Sequence, residues 1–187
     1  MTKAFFARAD IAEQRLCRLA NLACRRRAIR ALFRAVSRLG DGASWYALIV
    51  LMPILAGTGN VRSGIIASLH MILAGACGLV VYKLLKKTLV RERPFIALIG
   101  IECVMPPLDR YSFPSGHTLH AVLFTIIAVG YCPSLIMVLA PFAVLIALSR
   151  IVLGLHYPSD VGVGAALGWA ISKLSWVVRD AIFGPLV

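Results

Sequence analysis

Acidic residues are scarce in this chain: eight Asp and Glu stand against twenty Lys and Arg, leaving a net charge of +12. Cysteine occurs five times, at Cys17, Cys24, Cys77, Cys103 and Cys132, an odd and scattered set without a CxxC spacing. That pattern argues against a disulfide framework or a thiolate metal site, and the five read as small apolar fillers. The N-terminal region lacks the apolar core of a cleavable signal peptide, being basic and amphipathic instead. Internal repeats and low-complexity tracts are also missing. Charge of either sign is thin, at 15% of residues.

What the chain has in quantity is apolar side chains. It is 60% hydrophobic over 187 residues, with a mean hydropathy of +0.85, against roughly 45–50% apolar residues in soluble domains. A soluble core of this size has no room for so many, so the sequence predicts one integral membrane domain. Five stretches approach the ~20 apolar residues a span needs: about Ala43 to Val61, Ser63 to Tyr82, Gly116 to Tyr131, Ser134 to Leu155 and Val161 to Val178. Trp45, Tyr46, Tyr82, Tyr131 and Trp176 fall near their ends, where amphipathic aromatics prefer to sit. Phe95 to Met105 is too short to cross and reads as an interfacial or re-entrant piece.

Ten of the basic residues lie within residues 1–39, from Lys3 to Arg38, beside only Asp10 and Glu13. Ala12, Leu16, Leu19 and Ala23, then Ile29, Leu32, Phe33 and Val36, fall at helical spacing between the arginines. This predicts a basic amphipathic helix over 1–39, broken near Arg25–Arg27, lying on a surface of anionic headgroups rather than binding nucleic acid. Residues 40–187 form the membrane domain. The fold class expected is all-α, with about five transmembrane helices after the interfacial one.

Three polar clusters interrupt the apolar chain: KKTLVRERP at 86–94, PSGH at 114–117 and SRIVLGLHYPSD at 149–160. Alternating spans put all three on one membrane face. Lys86, Arg93 and Arg150 supply cations suited to phosphoryl oxygens. Ser115 and Gly116 open a helix whose N–H groups and positive end suit an anion. His156 lies four residues before Asp160, with Pro158 starting a helix between them. A carboxylate there can hold one imidazole nitrogen and leave the other free to attack phosphorus. His117 is placed to protonate a departing oxygen. Lys83, Lys87 and Arg91 read as topology determinants and His70 as a packed histidine; Asp109 and Arg110, just before the serine–glycine turn, read as a local salt bridge, with shaping of the headgroup pocket as the alternative. A metal site from His117, His120, His156 and Asp160 is the weaker alternative, because the surrounding cations repel a metal ion.

The set K-x6-RP (Lys86, Arg93, Pro94), PSGH (Pro114 to His117) and SR-x5-H-x3-D (Ser149, Arg150, His156, Asp160), in that order, resembles the signature of the type 2 phosphatidic acid phosphatase superfamily. The resemblance covers about residues 40–180. It implies a helical bundle and a reaction without metal or other cofactor. It also implies His156 as nucleophile, Asp160 as its orienting group and His117 as acid, with Lys86, Arg93, Ser115, Gly116 and Arg150 binding phosphate. The expected activity is hydrolysis of a lipid phosphate or diphosphate, isoprenyl (undecaprenyl) diphosphate first, phosphatidylglycerophosphate or phosphatidate second. Phosphotransfer to an alcohol, vanadate-dependent halide oxidation and a non-catalytic scaffold are the other readings. The positive-inside rule places the N-terminus, and with it the site, on the cytoplasmic face of the cell (inner) membrane.

Overall fold

A backbone in hydrocarbon must satisfy its own hydrogen bonds, and the helix is the way one segment does so. The computed structural model describes residues 2–56 and 61–184, and among them there are eight α-helices and no strand. They are α1 (Thr2–Leu22), α2 (Arg27–Leu39), α3 (Ala43–Leu55), α4 (Val61–Thr88), α5 (Pro94–Ala97), α6 (Gly116–Tyr131), α7 (Ile136–Val152) and α8 (Pro158–Phe183). The all-α expectation is met. The break expected near Arg25–Arg27 is a 3-10 turn at Ala23–Arg25 that separates α1 from α2.

Each expected span has a helix. Three are long and apolar enough to cross a membrane: Val61–Thr88, Pro133–Val152 and Pro158–Phe183. The other two, α3 and α6, are apolar but shorter, with 13 and 16 residues. The expected first span ran to Val61, but α3 ends at Leu55, Val61 opens α4, and residues 57–60 lie outside the described residues. At 1.5 Å per residue α6 is ~24 Å long, short of a ~30 Å hydrocarbon layer.

Small residues bring the helices together. Gly164 and Gly168 in α8 form a GxxxG pair facing α6, the spacing that lets membrane helices approach closely. A Cβ added at Gly164 would sit 2.5 Å from the Ser115 carbonyl oxygen, and one at Gly168 would sit 2.4 Å from that of Leu119. Met52, Met71, Leu119, Leu123, Ile127 and Ile146 fill the centre and are fully buried. Val50, Leu73, Met137 and Val177 project outward, where lipid would cover them. At the end of the bundle away from the three clusters, His70 is a packed histidine. It bonds Ser175 Oγ at 2.9 Å and Tyr131 Oη at 3.2 Å, edge-on to Trp176.

The N-terminal helix pair packs on the domain rather than standing off it. Cys17 and Cys24 are buried, and Asn21 Nδ2 donates to the Val152 carbonyl at 3.0 Å and to that of Glu102 at 3.1 Å. The apolar stripe read from the sequence packs only in part: Leu16, Leu19 and Leu32 are exposed, whereas Ala23, Phe33 and Val36 pack against the domain. The 95–105 piece has a single four-residue helix and otherwise irregular backbone. Its Leu98 and Ile101 pack against Cys17 and Tyr157, so it lies as a strap beneath α1.

Candidate active site

The site is assembled from the end of α4, the strap after it, the start of α6, the end of α7 and the turn before α8. In that turn Leu155 and His156 both donate backbone N–H bonds to the Arg150 carbonyl at 3.0 Å, and Gly154 takes a φ of +74° that a side chain would strain. The turn reverses the chain so that His156 and Arg150 face one space.

His156 is buried, and its Nε2 lies 3.4 Å from Nη1 of Arg93. Burial first, then the charges of Arg150, Arg93 and Lys86, hold its imidazole well below the usual pKa. The ring is therefore neutral at pH 7, with a lone pair available. Its other nitrogen, Nδ1, faces Oδ2 of Asp160 at 3.6 Å. Asp160 is itself anchored: Oδ2 accepts from the Tyr157 N–H at 2.8 Å, and Oδ1 accepts from Arg91 Nη1 at 2.8 Å.

The three cations meet as the sequence predicts. Arg93 is 1% exposed; its Nη1 donates to the Leu155 carbonyl at 2.7 Å, which aims the guanidinium at His156. Lys86 is buried at the end of α4 and donates to the Tyr111 carbonyl at 2.7 Å. Arg150 is 2% exposed and donates to Ser37 Oγ of α2, while its Nε has no protein partner. Gly116 stands where a Cβ would come within 2.7 Å of the Tyr82 ring. Ser115 caps α6, with its hydroxyl paired to Thr118 Oγ1 at 2.9 Å. The Ser115 N–H is committed to the Asp160 carbonyl at 3.0 Å, so its bond ties the PSGH turn to α8. His117 bonds through Nε2 to Asp41 in the turn between α2 and α3.

Several residues here escaped the sequence reading. Arg91, read there as a topology charge, bridges Asp160 to Glu13 of α1, its Nη2 lying 2.8 Å from Glu13 Oε2, and stacks 3.8 Å over the Tyr157 ring. Asp109 pairs with Lys86 and Arg93 rather than with its neighbour Arg110. Ser37 and Asp41 enter from the N-terminal segment. Only Arg91 carried a local signal, lying two residues before Arg93. No cluster of three or more metal-capable side chains occurs among the described residues. Both His120 nitrogens face backbone carbonyls, of Gly116 at 2.9 Å and Gly75 at 3.4 Å.

Beside His117 a cavity of about 570 Å³ runs between α3, α4 and α6, lined by Trp45, Ile49, Met71, Leu79 and Phe124 and reaching Asp41 and Gly116. The cavity meets the site at Tyr82, Gly116 and His117.

The sequence pattern of the PAP2 superfamily matches residues 63–183. The chain belongs to the PAP2 superfamily. It is 31% identical over 147 residues to a decaprenylphosphoryl-5-phosphoribose phosphatase of Mycobacterium tuberculosis, covering 77% of each chain. Over 159 residues it is 28% identical to an undecaprenyl-diphosphatase of Sulfolobus acidocaldarius, covering 84% of this chain and 73% of that one. The solved structure of Aquifex aeolicus LpxE superposes with a TM-score of 0.72 at 29% identity, covering 86% of this chain and 92% of that one. This PAP2 protein is thus a membrane protein of all-helical fold. Its N-terminal helices and the turn after them lie outside the matched residues, yet they supply Glu13, Ser37 and Asp41 to the site.

Proposed function

We infer that this PAP2 protein is a membrane lipid phosphatase that hydrolyses a lipid phosphate or diphosphate through a phosphohistidine. The observation that carries this reading is the neutral His156 ring with Nε2 turned toward Arg93, together with an apolar cavity that reaches His117. In the first step Nε2 attacks the terminal phosphorus, and its bond to the leaving oxygen (the lipid alcohol's in a monoester, the lipid phosphate's in a diphosphate) breaks as His117 delivers a proton to that oxygen. In the second, water attacks the phosphohistidine, the P–N bond breaks, and His117 takes the water's proton. Lys86, Arg93, Arg150 and the start of α6 at Ser115–Gly116 hold the phosphoryl oxygens, since phosphoryl transfer depends on positioning and charge. The cavity has the size and lining of a small-molecule site and would take the part of the chain nearest the headgroup.

Both relatives described above are named for polyprenyl substrates, which supports isoprenyl phosphates and diphosphates as the first class. Exposed Arg15, Arg18, Arg25 and Arg38 beside exposed Leu16 and Leu19 support a helix pair resting on an anionic leaflet. With five crossings, that pair and the site share the cytoplasmic face of the inner membrane.

The test is phosphate release by the purified full chain from undecaprenyl phosphate, undecaprenyl diphosphate, phosphatidylglycerophosphate and phosphatidate, with His156→Ala alongside. Release that His156→Ala abolishes supports the reading. Retained activity removes His156 as nucleophile, and a wild type inert on all four lipids removes the phosphatase.

A further inference from the structure

The cage reserved for phosphate already contains an anion. Asp109 lies on the irregular strap between α5 and α6, and its carboxylate pairs with Lys86 and with the Tyr82 hydroxyl. Arg93 grips the same residue twice: Nη2 donates to Oδ1 at 2.7 Å and Nε to the backbone carbonyl at 3.1 Å. Burial raises the carboxyl's pKa, but the bonds from Lys86 and Tyr82 and the charge of Arg93 outweigh it and hold Asp109 below the usual range. It is therefore a permanent carboxylate. Its side chain is 29% exposed whereas Arg93 is buried, so it approaches from the open side of the cage.

One carboxylate does not saturate three cations. Arg150 retains a buried Nε without a protein partner, and donors left in that condition favour any anion that reaches them. A phosphate monoester carries about −1.5 to −2 at neutral pH, more than the carboxylate it would replace. The phosphodiesters that make up most anionic headgroups carry only −1, no more than Asp109. A tethered competitor faces each of them at the millimolar effective concentration typical of short tethers.

We propose that Asp109 is a built-in competitor for the cage: its carboxylate occupies the Lys86–Arg93 pair and raises the concentration any anion needs to fill the site, so that tightly held phosphomonoesters and diphosphates displace it where weakly held phosphodiester headgroups do not. A competitor of this kind weakens every incoming anion by one common factor, the fraction of time the cage is free. Weakly held diesters then fall below the level at which they fill the site, while multiply charged headgroups remain above it. In a bilayer where diesters surround the entrance, that threshold keeps them from filling the cage and so blunts their inhibition of turnover. The idea rests on the reading of the cage as a phosphate site.

Two measurements on the purified full chain test it. Calorimetry of inorganic phosphate binding compares wild type, Asp109→Asn and Tyr82→Phe; the last loosens Asp109 without changing the charge of the cage. Turnover of phosphatidate in mixed micelles, with added phosphatidylglycerol as the diester, follows in the same proteins. The expected result is phosphate bound about tenfold tighter by Asp109→Asn and by a smaller factor in Tyr82→Phe. Phosphatidylglycerol inhibition should be strong in Asp109→Asn and weak in wild type. Unchanged or weaker phosphate binding in Asp109→Asn would overturn the proposal, as would equal inhibition of both proteins by phosphatidylglycerol. A wild type that turns over no lipid phosphate overturns the phosphatase reading instead, and the calorimetry still reports whether Asp109 competes.

Discussion

Oδ2 of Asp160 stands 3.6 Å from Nδ1 of His156, just outside hydrogen-bonding distance. The carboxylate is held there by the Tyr157 N–H and by Arg91. It can therefore steady the imidazole by charge, and needs to close only a few tenths of an ångström to bond the ring once that ring becomes positive. Replacing Asp160 by Asn should lower kcat by ~100-fold or more, as loss of an orienting carboxylate does elsewhere. Replacing Arg91 by Gln should lower kcat on the order of tenfold, the worth of one charge-assisted bond, while Arg91→Lys recovers most of it. Steady-state kinetics decides: a change confined to KM would place Arg91 outside the positioning of Asp160.

The contact between Asp41 and His117 gives the second prediction. A carboxylate only accepts, so His117 Nε2 carries the proton, and the bond fixes the ring. Asp41→Asn should slow hydrolysis of an alkyl phosphate by roughly 10–100-fold, the lower part of the usual range for a general acid. Hydrolysis of p-nitrophenyl phosphate, whose leaving group needs no proton, should be affected far less. Equal losses on both substrates would dissociate Asp41 from the acid step.

A third concerns pH. His156 has a folded-state pKa lowered from an unfolded value of ~6.5. In the window below 6.5 the unfolded chain takes up a proton that the folded one refuses. The stability this histidine contributes is thus fully present above pH 6.5 and declines as pH falls below it. Thermal unfolding in detergent should show a midpoint that drops between pH 7 and 5 more steeply in wild type than in His156→Asn. Parallel slopes would mean the ring titrates normally.

The GxxxG contact supplies a fourth. Gly168→Ala places a methyl 2.4 Å from the Leu119 carbonyl, and overpacking of this sort costs about 1–3 kcal/mol. The expected outcome is a lower unfolding midpoint together with reduced kcat, because the same helix pair sets Ser115. Gly162→Ala on the same helix, where nothing lies within 4 Å, should leave both unchanged.

Topology is the fifth. Arg110 is exposed beside the site, so Arg110→Cys reports which face the site occupies. Cys103, also exposed, is first changed to Ser. A membrane-impermeant thiol reagent should label Arg110→Cys only after intact cells are opened. Labelling of intact cells would put the site on the outer face.

The sequence made the helices legible because a bilayer imposes a coarse rule: long apolar runs cross, and their ends carry Trp, Tyr and charge. It likewise exposed the cage, since Lys86, Arg93, Arg150 and His156 lie in short dense clusters. Asp41, Asp109 and Glu13 left no such mark. Each is a lone carboxylate whose partner lies 16 or more residues away in sequence, and no local periodicity fixes such a pairing. The N-terminal helices were read from their apolar stripe, and Phe33 and Val36 of α2 do pack inward, but in α1 Leu16 and Leu19 point outward while Cys17, Asn21 and Cys24 make the contacts. Where two faces of a helix can both be covered, one by lipid and one by protein, hydropathy does not say which is which.

The tie between the PSGH turn and α8 bears on biogenesis. Ser115 donates to the Asp160 carbonyl and is pressed by Gly164, so the turn takes its shape from a helix synthesised some forty residues later. A ribosome that has released α6 into the bilayer has made the loop but not its mould. Until α8 is inserted, the turn lacks both its bond to Asp160 and the backing of Gly164, and the pocket it helps to frame is unfinished.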